Sequence, residues 1–248
     1  MTMPPNVRDA IARGRLHATR LLAATSPCFP RDVDSDGKHY DWNVTGPAFV
    51  ARMVRLSAAI NWLPDEHEAE AGMLLRVLYE HVVLFAWLAT DPATHLPQWV
   101  RYDREYRIKA DNNLRDIGRS GLGAEVRTMI EAERDSVEKR WPGIESFAGH
   151  ADRFWAQRMK EFERCALRDM YVGIYRQYSP LVHGMPESLQ RIVGPGAQLN
   201  ASRVGEISLP AQTNAFTLMP ITLALGLLVS AHTLGFPERA KVVQAFES

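Results

Sequence analysis

From Ile207 to Pro237 the chain runs for 31 residues without an Asp, Glu, Lys or Arg. Within it, Phe216 to Phe236 is long enough to cross the roughly 30 Å hydrocarbon layer of a bilayer. A stretch of this kind has two outlets: a membrane span, or a helix apolar on every side at the centre of a bundle. Asn214, Pro220, Ser230, His232 and four threonines interrupt it with polar groups. No strongly basic flank marks a membrane boundary. The expected outcome is a buried core helix and no membrane contact, and the rest of the chain must then supply its covering.

It has the segments to do so. Pro4-Pro5-Asn6 reads as a helix start before Val7 to Ala24. Ser26 to Gly46, with Pro27, Pro30 and several Asp, reads as a loop. Pro47 to Leu63 carries Phe49, Met53, Leu56, Ile60 and Leu63 on one stripe. Asp65 to Thr90 starts acidic, as the positive end of a helix dipole favours, and then turns strongly apolar. Charged helices follow at Leu96 to Arg119 and Ala124 to Arg140, then an aromatic-rich one from His150 to Met170. Pro186 to Pro210 reads as a loop with room for short strands near 191–193 and 203–207. Glu238 to Phe246 closes the chain with a short amphipathic helix. No repeat or linker divides it. The expectation is an all-α single bundle of about seven to nine helices over residues 1–248, its core at about 47–236, preceded by an N-terminal helix and loop.

Charge and cysteine usage narrow the chemistry. Lys plus Arg equals Asp plus Glu at 29 each, so a polyanionic partner would need a local patch. Cys28 and Cys165 make neither a metal-spaced cluster nor a disulfide framework, and no signal-peptide pattern opens the chain. A cytoplasmic location is expected. Gly-rich phosphate loops, His-Glu-x-x-His, paired-Cys zinc patterns and Gly-x-Ser-x-Gly are absent, and no cofactor is expected. Glu66-His67-Glu68 and Glu80-His81 come nearest to metal ligands, yet the paired Glu-x-x-His of a di-iron bundle is missing; no metal is expected.

Two constellations remain. In Met170 to Gly184, Arg176 and His183 stand seven residues apart, two helical turns, and so on one face. Pro180 removes a donor and disfavours helical backbone at Ser179, which predicts a kink near Ser179 and an end at His183 or Gly184, with Gly184 a suitable cap. The second is Arg76 with Glu80, an i,i+4 pair among apolar neighbours. Its plain reading is a structural ion pair inside the bundle, facing the Tyr171 to His183 helix. Its functional reading is that one member crosses to Arg176 or His183 and orients it, since an imidazole base needs its tautomer fixed.

Leu75-Arg76-Val77-Leu78-Tyr79-Glu80 together with Tyr178-Ser179-Pro180-Leu181-Val182-His183-Gly184 resembles a family of bacterial all-helical proteins of unknown function, over roughly Pro47 to Leu234. Arg176 and His183 also resemble the Arg-x(4–6)-His signature of HEPN domains, although Gln177 fits the following position loosely and Pro180 departs from it. That resemblance implies a metal-independent ribonuclease, for instance a toxin or phage-defence effector, working as a homodimer on RNA. Arg176 and His183 would be catalytic, Arg76, Glu80, Tyr178 and Ser179 would orient or bind, and Arg101, Arg104 and Arg107 would contact the RNA, with Tyr102 and Tyr106 available for stacking. Two alternatives stand beside it: a non-catalytic module binding a nucleotide or small anion at the same centre, and a structural or protein-interaction bundle.

Overall fold

The computed structural model describes residues 5–25, 42–118, 121, 123–140, 170–182 and 214–234, all of them helices and their short connections. In chain order these are α1 (Pro5–Thr25), α2 (Trp42–Trp62), α3 (Glu68–Thr90), α4 (Pro92–Asp116), α5 (Ala124–Arg140), α6 (a π-helical segment Tyr171–Arg176 running into the α-helix Gln177–Val182) and α7 (Ala215–Thr233). The fold is all-α. The expected helix from His150, the helix from Glu238, the loop and short strands between Pro186 and Pro210, and His183 with Gly184 lie outside the described residues.

The uncharged stretch became α7, and it packs against α1, α2 and α3 together. Phe216, Met219, Leu223 and Leu227 are buried among Ile11 and Leu21 of α1, Met53 and Ile60 of α2, and Leu75, Leu78 and Val82 of α3. Asn214 starts α7: its side-chain oxygen accepts from the Phe216 amide at 2.9 Å, satisfying one of the donors a helix start leaves open. Gly14 of α1 lies directly against the backbone carbonyl of Phe216. A β-carbon there would collide with main chain, so glycine permits the close crossing of α1 and α7. By length and composition one described helix could cross a membrane, and it is α3 rather than α7; two-thirds of that apolar stretch (67%) is buried within the fold.

Aromatic contacts bind the next layer. Trp42 stacks on Phe85 with ring centres 5.6 Å apart, and Phe49 meets Phe85 at 5.9 Å and Trp99 at 5.5 Å. α4 and α5 form a hairpin fastened by Asp111, whose carboxylate accepts from Arg115 at 3.0 Å and from Arg127 at 2.7 Å.

α2 and α4 begin earlier than expected, at Trp42 and Pro92, and three helices carry a proline near their start. Pro47, Pro97 and Pro220 are each the sixth residue of α2, α4 and α7. A proline there removes one amide and crowds the carbonyl four residues back. That carbonyl belongs to the first turn, whose own amides have no helical partner to lose, so the turn can open without ending the helix. α6 behaves otherwise than its sequence predicts. It is helical through Ser179 and Pro180, and the irregularity sits one turn upstream as the π-helical segment ending at Arg176. The carbonyl that the Pro180 ring crowds is that of Arg176, where the π-helical segment ends.

Candidate functional site

Glu68, Gly72, Arg76 and Glu80 follow one another at intervals of four along α3 and so form a single row on that helix. α6 lies antiparallel on this row. Tyr178, fully buried at 0% exposure, rests its ring against the backbone of Gly72, where a β-carbon would overlap it. Its hydroxyl then donates to Glu68 Oε1 at 2.6 Å, a short bond as expected of a hydroxyl on a carboxylate. The same oxygen accepts from the Ala215 amide at 3.3 Å, so one carboxylate with 2% exposure joins α3, α6 and the start of α7. Burying such a group is expensive unless hydrogen bonds satisfy it, and the positive end of α7 adds a further favourable contribution.

Further along the row, Arg76 is 7% exposed and its Nε donates to Glu80 Oε1 at 3.1 Å. The guanidinium lies 4.5 Å from the centre of the Tyr175 ring, a cation–π contact. The Arg76–Glu80 pair therefore sits at the α3–α6 interface, with Glu80 half-exposed, and its partner on α6 is Tyr175. Arg176, the next residue, is exposed. Ser179 is half-buried.

The expected basic row on α4 is not one outward face. Arg107 is exposed and Arg101 half-buried, whereas Arg104 is turned inward at 5% exposure. Arg104 Nη1 and Arg107 Nε both donate to Asp103 Oδ2 at 3.0 Å, so one carboxylate neutralises part of the charge of both arginines. Tyr106 is exposed and stays beside Tyr102, with ring centres 6.3 Å apart. Glu66, His67 and Glu68 diverge: Glu68 faces inward, while His67 faces Glu70 across 3.7 Å at the surface.

His81 stands on the α2 side of α3. Its Nδ1 is 2.8 Å from the Val77 carbonyl and its ring is 6.1 Å from that of Phe49. Burial holds its pKa below the ordinary 6.5; the hydrogen bond to Val77 opposes this and the Arg52 charge reinforces it. Burial thus favours the neutral imidazole, and against a carbonyl Nδ1 is the donor.

Three residues of this centre escaped sequence reasoning: Glu68, Gly72 and Tyr175. The signal for the first two was the four-residue interval with Arg76 and Glu80. Tyr175 had no such mark, because its partner depends on how α6 is laid down.

The arrangement defines a helical bundle in which a π-to-α helix is clamped on a polar row of its neighbour. The chain belongs to a family of unknown function (DUF5677), whose model matches residues 47–198, from early α2 past α6. No curated protein and no solved structure matches the chain.

Proposed function

We propose that the protein is a HEPN-like endoribonuclease of bacterial type that needs no metal ion, acting in the cytoplasm as a toxin or defence effector. The observation that supports this reading is the placement of Arg176. It is exposed at the junction of the π and α segments, while Tyr175 and Tyr178 on either side are taken up by α3. An arginine presented on a fixed helix is suited to hold a phosphate through its planar fork.

In this mechanism His183, the residue following α6 in the chain, takes the proton of a ribose 2′-hydroxyl. The 2′-oxygen attacks the adjacent phosphorus, the bond from phosphorus to the 5′-oxygen breaks, and a 2′,3′-cyclic phosphate and a 5′-hydroxyl end form. Arg176 neutralises charge building on the phosphoryl oxygens. The leaving 5′-oxygen takes its proton from an imidazolium, which a second copy of the chain in a homodimer supplies. Arg76 and Glu80 support the helix from below and do not touch the substrate.

The test is incubation of purified protein with mixed-sequence RNA in EDTA, beside Arg176→Ala and His183→Ala. The expected result is cleavage that survives chelation, leaves cyclic phosphate ends and is lost in both variants. Equal cleavage by His183→Ala would remove the mechanism. Absence of cleavage with retained, Arg176-dependent nucleotide binding would favour a non-catalytic anion site.

A further inference from the structure

We infer that Tyr175 and Tyr178 are positioning residues for Arg176, fixing the rotation of α6 so that this side chain faces outward; the inference rests on the ribonuclease reading for its chemistry but not for its geometry. A helix lying on a neighbour is ordinarily free to choose among rotations that bury different apolar sides. α6 has lost that freedom at two points one turn apart. Tyr178 fits only where α3 offers a glycine, and its hydroxyl must reach the buried Glu68 carboxylate. Tyr175 lies over the guanidinium of Arg76, which Glu80 holds in turn. The two anchors fall on successive intervals of the α3 row, Tyr178 at Glu68 and Gly72, Tyr175 at Arg76.

Rotating α6 by one residue would put Arg176 where Tyr175 lies, a guanidinium against the guanidinium of Arg76. Like charges at such a distance in a partly dry interface are strongly unfavourable. The widened turn at Tyr171–Arg176 ends at this junction, so Tyr175 anchors the end of the π-helical segment and Tyr178 the α-helix that follows. Ala215 adds a third tie, because its amide shares the Glu68 oxygen and couples α7 to the same register.

The experiment compares wild type with Tyr178→Phe, Tyr175→Leu and Tyr175→Phe in the full chain. Two readouts need no RNA: amide exchange over residues 175–182, and the rate at which phenylglyoxal modifies Arg176, followed by mass spectrometry. Tyr178→Phe and Tyr175→Leu are expected to raise exchange about tenfold and to change the modification rate, while Tyr175→Phe, which keeps the ring face, restores both. A third readout is binding of a 2′-O-methyl RNA oligonucleotide, which cannot be cut. Tyr178→Phe should weaken it by about tenfold in wild type and leave it unchanged in an Arg176→Ala background, since a residue acting through Arg176 has nothing to act on once it is gone. Unaltered exchange and modification would overturn the inference, as would additive losses in the double variant. A wild type that neither binds nor cuts RNA, with exchange and modification still responding, would overturn the ribonuclease reading alone. Should Tyr178→Phe fail to fold, Tyr175→Leu, which removes the other anchor and leaves the Glu68 bond intact, is combined with Arg176→Ala in its place and is held to the same outcomes.

Discussion

Gly72 and Tyr178 share one space: the aromatic ring occupies the position a β-carbon at residue 72 would take. Two effects of Gly72→Ala therefore oppose each other. Alanine in a helix interior is favoured over glycine by about 1 kcal/mol. Overpacking against a buried ring costs about 1 to 3 kcal/mol, and more when the ring is also hydrogen-bonded and cannot turn aside. Net destabilisation of about 2 kcal/mol is expected, read from urea melts. A neutral or stabilising result would mean that Tyr178 is not seated there.

Arg15 gives a second test. It reaches from α1 to the end of α2, donating to the carbonyls of Asn61 and Leu63, to Asp65 Oδ1 at 2.9 Å through Nε, and it lies 4.2 Å from the ring centre of Phe216. The Asn61 carbonyl is among those a helix end leaves unpaired, and that of Leu63 follows just beyond it. Asp65 is well exposed at 42% of its side chain, so water screens its share. Arg15→Met should cost about 2 kcal/mol, and Asp65→Asn less than about 1 kcal/mol. If the two losses measured by denaturation were equal, the ion pair and not the helix end would be the important contact.

The Arg76–Glu80 pair is intermediate. Removing one partner of a fully buried pair costs about 3 to 5 kcal/mol. Glu80 keeps 30% of its side chain in contact with solvent, and Arg76 retains the Tyr175 ring. Glu80→Ala is accordingly expected to cost about 1 to 2 kcal/mol and Glu80→Gln less. A change under about half a kcal/mol would assign the pair to the open surface.

His81 ties stability to pH. Its folded-state pKa lies below the ordinary 6.5 because burial disfavours the imidazolium. The unfolded chain then binds more protons between the folded value and 6.5, so its contribution is fully present above about pH 6.5 and is lost as pH falls through the folded value. Urea melts from pH 7.5 to 5 should show wild type losing its advantage over His81→Gln on acidification. Parallel losses in the two proteins would place the sensitivity elsewhere.

How far the sequence speaks depends on the range of the interaction. Arg76 with Glu80 is a contact within one helix, and its spacing alone announced it. The absence of charge from Ile207 to Pro237 likewise announced α7, because a side without charge must find cover. Glu68 looked like an ordinary acidic residue of a helix start, since its partners Tyr178 and Ala215 lie 110 and 147 residues further on. The four-residue interval places Glu68 on the row, but no local pattern names the partners it meets there. Pro180 misled in a different way: the helix runs straight through Ser179 and Pro180, and the irregular winding lies one turn upstream, ending at Arg176. Arg104 misled because a basic run seen as a string does not say which of its members lies on the buried side of the helix, here in line with Val100 and Asp111.

The crossing of Gly14 with Phe216 also sets an order of events when the protein is made. α1, α2 and α3 leave the ribosome long before α7 exists, yet all three keep part of their apolar surface for it. Contacts between such distant segments form late and slowly. During that interval the nascent chain carries an open hydrophobic trough, the kind of surface that draws chaperones or self-association. A ribosome stalled before Asn214 should therefore display a chain far more sensitive to protease than one stalled well beyond Thr233. Acquisition of the native state is expected to wait for α7.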